Sequence, residues 1–197
     1  MEKIMIDFKG LGHINIVVDD MMAAAIDFYK NLFGAIPRQF FPHFKNKGFA
    51  KSAGFIDNPE QIDVSMAFLE IPGARVFIEL MEYHHPTGEK RVEIKEANDI
   101  GGIWHICLRI QNIDSVFEYI KNFPDVRLIN SSPLYKPYKI DEITSDEFMF
   151  FNEEDEKNSV LKQETCEIMG KIRYFYFIDK YNIQWEFKEG HDDIGTD

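Results

Sequence analysis

Hydrophobic and polar residues alternate along four stretches of the chain, at 13–18, 75–81, 103–110 and 183–188. Such alternation is typical of a β-strand with one buried face, because successive side chains of a strand point to opposite sides. In the first stretch Ile14, Ile16 and Val18 form the apolar face, and each of the other three stretches has an equally apolar face. The pattern predicts four strands that each pack one face against a helix.

The chain also contains an internal repeat. Residues 10–18, Gly-Leu-Gly-His-Ile-Asn-Ile-Val-Val, correspond to residues 102–110, Gly-Ile-Trp-His-Ile-Cys-Leu-Arg-Ile, and both run into an acidic turn and a helical pattern. Further strand candidates complete the two halves, near 36–41, 63–71 and 75–81 and near 126–130, 172–178 and 182–188. Each half has one strand, one helix and three strands. The predicted fold class is α+β, with tandem βαβββ modules forming a curved mixed sheet around a central cleft.

Apolar stripes at helical spacing predict the helix of each half. In the first half the stripe consists of Met22, Ile26, Tyr29 and Phe33. Asp20 is predicted to cap the N-terminus of this helix, and Gly34 is predicted to form its left-handed C-terminal cap. In the second half Asp114 is the predicted N-cap, and Pro124 ends the helix.

The two modules are predicted to form a single domain over residues 8–190. The parts of the chain are modules at about 8–92 and 100–190, an insertion at about 131–170 in the second module, and a tail at 191–197. A helix is expected from Ser159 to Met169 within the insertion. The insertion could act as a lid or as cover for a sheet edge.

Charge and composition narrow the classes of partner. The chain has 197 residues, a formal net charge of −12 and a pI near 4.9. An acidic surface repels phosphate groups, so neither nucleic acid nor a membrane is an expected partner. No apolar run reaches the roughly 20 residues of a membrane helix, and the charged start of the chain does not fit a signal peptide. With only two cysteines no disulfide framework is expected, and a cytoplasmic protein is predicted.

On each of the four alternating strands, one His or Glu lies on the face opposite the apolar one. These residues are His13, Glu79, His105 and Glu186. A single His or Glu in a strand is usually structural or solvated, but here each half supplies one His from its first strand and one Glu from its last. Two imidazoles and two carboxylates suit a divalent transition ion. The repetition therefore predicts one metal site formed by all four residues.

Other polar residues share these strand faces. Asn15, Arg109 and Lys188 are candidates for contacting a substrate, although they could equally be polar cover. Cys107 lies in an apolar run and is expected to be buried. His84 and His85 precede a Pro-Thr-Gly turn and are expected to lie on the surface.

Four segments carry a resemblance to a known superfamily. They are His-Ile-Asn-Ile-Val-Val-Asp-Asp at 13–20, Val-Phe-Ile-Glu-Leu at 76–80, Gly-Gly-Ile-Trp-His-Ile at 101–106, and Phe-Ile-Asp with Gln-Trp-Glu-Phe at 177–179 and 184–187. Together they resemble the vicinal oxygen chelate superfamily, which includes glyoxalase I, methylmalonyl-CoA epimerase, extradiol dioxygenases and fosfomycin-resistance proteins. The resemblance covers about residues 10–190, apart from the insertion.

The resemblance implies paired βαβββ modules and places His13, Glu79, His105 and Glu186 at the metal-ligand positions. This ligand set is similar to that of metal-dependent glyoxalase I. It implies one divalent ion, Ni, Co, Zn, Mn or Fe, that acts as a Lewis acid on a small-molecule substrate and stabilises an enediolate. Glu186 or Glu79 is then the expected catalytic group that moves a proton beside the carbonyl. A lyase or isomerase and a homodimer are implied.

Departures from the glyoxalase pattern leave the substrate open. Val17 stands where glutathione-dependent glyoxalases usually have Arg, and Tyr83 stands where they often have Asn. One alternative is an epimerase of the methylmalonyl type that acts on a CoA thioester. Another is a non-catalytic protein that binds a small molecule, although such members typically lose the metal ligands.

Overall fold

The computed structural model describes residues 11–19, 22–89, 103, 105–139 and 143–190. The chain forms two compact units, Met1–Glu93 and Ile94–Asp197. Asp20, the predicted N-cap of the first helix, lies outside the described residues. The prediction that both modules form a single domain stays a prediction.

The first unit holds a four-stranded mixed sheet. Its elements are β1 (Ile14–Val17), α1 (Met22–Phe33), β2 (Ile36–Phe44), α2 (Lys47–Ser52), a 3₁₀ turn (Pro59–Gln61), β3 (Asp63–Ile71) and β4 (Val76–His85). The strand order is β1-β4-β3-β2, with β1 parallel to β4 and the other pairs antiparallel. The chain must therefore cross over between β1 and β4, and α1 lies in that connection.

The second unit repeats this arrangement. Its elements are β5 (Ile106–Arg109), α3 (Ile113–Lys121), β6 (Arg127–Leu128), β7 (Tyr138–Lys139), α4 (Glu153–Lys157), α5 (Ser159–Met169), β8 (Arg173–Ile178) and β9 (Gln184–Glu189). The order is β5-β9-β8-β6, β5 is parallel to β9, and β7 also pairs with β8. The predicted α+β class, with one βαβββ module in each half, is confirmed.

Helix α1 packs an apolar face against the first sheet. Its buried residues are Met22, Ala25, Phe28, Tyr29 and Leu32. Ile26 and Phe33, which the predicted stripe included, are only partly buried. The apolar strand face is buried as predicted, since Ile78 and Leu80 are completely inaccessible to solvent. Gly34 ends the helix with φ at 65°, a backbone conformation that glycine adopts without steric cost.

The core of the second unit is aromatic. Phe117 of α3 meets Phe175 of β8 edge to face, with ring centroids 5.1 Å apart. Phe187 of β9 contacts Phe177 in the same way at 4.9 Å. Trp185 on β9 is fully buried. Edge-to-face pairs add to the free energy gained by burial, so these rings fix α3 on the sheet.

The second helix begins two residues earlier than the capping pattern predicts. Asn112, at φ 59°, precedes the first helical residue, Ile113, so the prediction that Asp114 is the N-cap is wrong. Asp114 lies in the first turn of α3 and accepts two hydrogen bonds from the Arg173 guanidinium of β8, at 2.8 and 2.5 Å. The aspartate therefore links helix to sheet. The helix ends at Lys121, before Pro124 as expected.

This link predicts a pH-dependent stability. The hydrogen bonds from Arg173 hold the pKa of Asp114 below its usual value, although burial opposes them. A lowered folded-state pKa stabilises the protein above the unfolded-state pKa of about 3.9, and this contribution is lost as pH falls through the folded-state pKa. We expect Asp114→Asn to lower the melting temperature at pH 7 and to differ less from the parent chain as pH falls below about 4.

Thermal unfolding from pH 7 to pH 2.5 measures this difference. The exposed Glu153→Gln variant is the control for loss of a surface carboxylate, and Arg173→Met should abolish most of the effect of Asp114→Asn. A difference between Asp114→Asn and the parent chain that is the same at every pH contradicts the prediction.

The insertion contains the predicted helix. Helix α5 spans Ser159–Met169, as expected, and the Asn158 side chain caps it by accepting a hydrogen bond from the Leu161 amide at 3.1 Å. Lys162 of α5 donates to Glu156 of α4 at 2.8 Å, which joins the two helices. In the part of the chain that the structure describes, no helix is long and apolar enough to cross a bilayer.

Candidate functional site

Parallel pairing of β1 with β4 brings the first His and Glu together. The register sets Asn15 opposite Glu79, and His13 lies one residue before the start of β1. His13 Nε2 lies 3.0 Å from Glu79 Oε2. Asn15 and Glu79, which are 64 positions apart in the sequence, thus become neighbours through a single strand pairing. The first unit holds one predicted His–Glu pair.

The carboxylate of Glu79 is oriented by a second side chain. Asn15 Nδ2 donates to Glu79 Oε2 at 2.9 Å. The Phe68 ring, opposite Glu79 in the β3–β4 register, meets the His13 ring edge to face at 5.9 Å. Burial and the charge of Glu79 raise the pKa of the Tyr83 phenol. Asn15 therefore holds the Glu79 carboxylate in place beside the His13 imidazole.

The second unit builds its pair in the same way. Parallel β5 and β9 set Cys107 opposite Glu186, and His105 lies one residue before β5. His105 Nε2 lies 2.9 Å from Glu186 Oε2. The Glu186 side chain is 11% exposed, close to the 13% of its counterpart in the first unit. The two pairs occupy equivalent positions in equivalent sheets.

Tyr176 is the polar partner of Glu186. It lies opposite Glu186 in the β8–β9 register, and its ring meets the His105 ring at 5.2 Å. Burial raises the pKa of the Tyr176 phenol strongly, and the charge of Glu186 and a hydrogen bond to it raise this pKa further. The phenol therefore stays protonated and donates to the carboxylate. Tyr176 was not among the predicted site residues, although the sequence indicates its position. In a hairpin whose turn is at 179–182, residue 176 lies opposite residue 186.

The donor set fits a divalent transition ion. Two ligands about 2.1 Å from an ion, at right angles, lie about 3.0 Å apart. The His–Glu distances of 3.0 and 2.9 Å match this spacing. An imidazole and a carboxylate in each unit could thus act as neighbouring ligands without rearrangement. The assembly of His13, Glu79, His105 and Glu186 on one ion stays a prediction.

The three candidate substrate residues differ in surroundings. The amide of Asn15 holds Glu79. Arg109 is exposed, whereas Lys188 is buried on the same strand face as Glu186. Their contacts with a substrate stay predictions. The prediction that Cys107 is buried is wrong: this residue is exposed, because it shares a strand face with His105 and Arg109.

Comparison with known proteins identifies the family. The model of the Glyoxalase/Bleomycin resistance protein/Dioxygenase superfamily matches residues 12–131, more than half of the chain. The chain belongs to this superfamily. The match includes His13, Glu79 and His105 and confirms the resemblance found in the sequence motifs. Among curated proteins, none matches the chain.

Solved structures with the superfamily fold resemble the whole chain. A glyoxalase family protein from Bacillus cereus has a TM-score of 0.61 at 13% identity, over 94% of this chain and 97% of its own. A glyoxylase/bleomycin resistance protein/dioxygenase domain from Frankia has a TM-score of 0.53 at 13% identity, over 94% and 100%. The fosfomycin resistance protein FosX from Listeria monocytogenes, crystallised with Mn(II) and sulfate, has a TM-score of 0.41 at 17% identity, over 94% and 95%.

Proposed function

We propose that this superfamily member is a metal-dependent lyase or isomerase of the glyoxalase type, which moves a proton next to a carbonyl. One observation carries the proposal: each unit holds a His–Glu pair at the same register position, 3.0 Å apart in the first and 2.9 Å in the second. The recurrence of the pair in both sheets, at a spacing that suits two ligands of one ion, favours a shared role in metal binding.

The proposed ligands of the ion are His13, Glu79, His105 and Glu186. When bound, a divalent ion polarises the substrate carbonyl and stabilises negative charge on its oxygen, which acidifies the neighbouring C–H. Imidazole nitrogens and carboxylate oxygens suit Ni, Co, Zn, Mn or Fe. The chain itself must then supply a base for the proton.

Glu186 and Glu79 are the proposed bases. Both side chains are largely shielded from bulk water, at 11% and 13% exposure. Each carboxylate has a fixed orientation, since Tyr176 donates to Glu186 and Asn15 donates to Glu79. A positioned carboxylate can accept a proton from one carbon and return it to the next.

The proposed substrate is a small α-hydroxycarbonyl, thiohemiacetal or acyl thioester. Arg109 and Lys188 on the strand faces that carry the second pair offer positive charge for an anionic substrate group. Val17 and Tyr83 replace the residues that glutathione-dependent glyoxalases usually have, so a thiol other than glutathione, or none, fits the chain better. A cytoplasmic homodimer is part of the same proposal.

Exchange of α-protons tests the proposal directly. The chain is freed of metal with a chelator, loaded with Ni²⁺, Co²⁺, Zn²⁺, Mn²⁺ or Fe²⁺, and mixed in D₂O with a panel of the three substrate classes. We expect metal-dependent loss of the α-proton NMR signal for at least one class. Exchange confined to CoA thioesters would indicate the epimerase alternative. Tight ligand binding by a metal-free chain, without exchange for any class, would show a binding protein and overturn the proposal.

A further inference from the structure

A second group of metal-ligating side chains lies in the first unit and shares no residue with the pairs described above. His43 of β2, Asp63 of β3 and His84 of β4 come from three adjacent strands of the sheet. One ligand atom from each lies within 4.8 Å of the other two. Two imidazoles and one carboxylate are the donor set of many zinc and iron sites.

Irregularities in two strands create this group. The β2–β3 register shifts between Phe41 and Phe44, and His43, which lies within this shift, has φ at 51°. The β3–β4 register shifts between Asp63 and Val64, which leaves an extra residue, His84, in β4. A bulge redirects the side chain that it carries. Here one bulge on each side of β3 places an imidazole beside the same carboxylate.

The spacing of the donors suits an ion. His43 Nδ1 lies 3.2 Å from each carboxylate oxygen of Asp63, and two ligands of a tetrahedral ion with bonds of about 2.05 Å are about 3.3 Å apart. The His43 and His84 rings lie with centroids 4.6 Å apart. Ser65 Oγ is 2.7 Å from His84 Nε2, and the other ring nitrogen, Nδ1, is 3.7 Å from Glu82 Oε1.

The group is partly exposed to solvent, and its carboxylate forms an ion pair with a lysine. The side chains of His43, Asp63 and His84 are 66%, 15% and 28% exposed, which leaves space for water ligands. Lys45 Nζ lies 3.3 Å from Asp63 Oδ2. A divalent ion would replace this exposed ammonium as the counter-charge of the carboxylate, since an ammonium at that exposure holds its partner weakly.

We propose that His43, Asp63 and His84 bind a divalent ion of the borderline class, with Zn²⁺ as its representative. The ion would tie the edge strand β2 to β3 and β4, and it would therefore stabilise the first unit. A role at the edge strand is independent of the proposed catalytic centre. The site does not depend on any activity of the chain.

Zinc titration calorimetry tests the site. The background is a chelator-treated full-length variant, His13→Ala with His105→Ala, which lacks the imidazoles of the proposed centre. We expect it to bind one Zn²⁺ per chain. Replacing His43 or His84 by Ala in this background should weaken binding at least about tenfold, the loss that removal of even an outer partner of a metal site produces. Lys45→Gln should bind Zn²⁺ as well or more tightly.

His85→Ala is the matched control, because His85 is exposed and adjacent to His84 but lies outside the group. It should bind Zn²⁺ like the background. Equal affinity in His43→Ala, His84→Ala and His85→Ala, or no Zn²⁺ bound by the background, overturns the proposal and leaves an ordinary ion pair at Asp63. Neither result bears on the proposed function, whose residues are already changed in this background.

Imidazole NMR of the parent chain gives a second measurement that needs no variant at the new site. With the centre of the two His–Glu pairs saturated, further Zn²⁺ should shift the ring signals of His43 and His84 together and leave those of His85 in place. Zn²⁺ should also raise the melting temperature under these conditions. Shifts confined to His85, or no shift at any of the three rings, contradict the proposal.

Discussion

Replacing Glu186 by Gln is expected to slow α-proton exchange by at least about 100-fold, the lower end of the contribution of a general base. The amide has nearly the shape of the carboxylate and can still accept the hydrogen bond from Tyr176, but it cannot take a proton. It is also a weaker ligand, so metal content should fall. Elemental analysis of the purified variant and the exchange rate at saturating metal measure the two effects separately.

The equivalent variant of the first unit, Glu79→Gln, divides the roles of the two carboxylates. A variant that keeps its metal but loses exchange has lost the base, and a variant that loses metal first has lost chiefly a ligand. Glu153→Gln on the exposed helix α4 is the control and should change neither quantity. If Glu79→Gln and Glu186→Gln both retain full metal content and full exchange, the proposed centre is wrong.

Much of the fold follows from local rules that the chain obeys. Alternation places His13 and Asn15 on one face of β1 and Ile16 on the other, and the structure shows the same division. The sequence Asp179-Lys180-Tyr181-Asn182 predicts a tight turn in which Asn182 tolerates a positive φ, and Asn182 has φ at 63°. Such features depend on neighbours in sequence or on strand period alone. They are accessible without knowing which strands pair.

Other features depend on pairing and could not be predicted. The alternation around Glu79 predicts a strand that ends at residue 81, but β3 offers partners further along and extends β4 to His85. The assignment of His84 to the surface therefore missed a partly buried residue on a bulge. At His43 the sequence offers one signal, the preceding Pro42, because proline within a sheet is confined to edges and bulges. The register of β2 on β3 then decides where the bulge forms. The second group of metal ligands arises from these two irregularities.

In the candidate site, too, the features that depend on strand pairing could not be predicted. Each His and Glu could be assigned to a face from its strand alone, and in each unit the structure places the His beside the Glu. The groups that hold the carboxylates required the register. Asn15 was expected near substrate but donates to Glu79, and Tyr176 was not considered. Cross-strand neighbours decide such contacts, because a partner directly opposite lies closer than the next residue on the same face of the same strand.

Trp185→Ala is expected to lower the free energy of unfolding by about 3–5 kcal/mol, the usual cost of removing a fully buried large aromatic side chain. Trp185 is completely inaccessible to solvent, and its indole Nε1 donates to Asp179 Oδ2 at 2.9 Å. The loss includes both the cavity and this buried hydrogen bond. Since small proteins are stable by only about 5–15 kcal/mol, the variant should unfold at a much lower urea concentration.

The hydrogen bonds of Asp179 predict a further loss of stability in the variant Asp179→Ala. Asp179 Oδ1 accepts from the amides of Tyr181 and Ile183, at 2.9 and 3.0 Å, so this carboxylate closes the turn between β8 and β9 as well as holding the indole. Each buried donor left without a partner costs about 1–3 kcal/mol. Because Glu186 lies on β9 next to Trp185, loosening this hairpin should also reduce metal content, which links stability to the proposed centre. Urea unfolding of Trp185→Ala and Asp179→Ala measures the free energy of unfolding that each variant loses, with Phe151→Ala as an exposed aromatic control. A loss of stability in Trp185→Ala no larger than in this control contradicts the prediction.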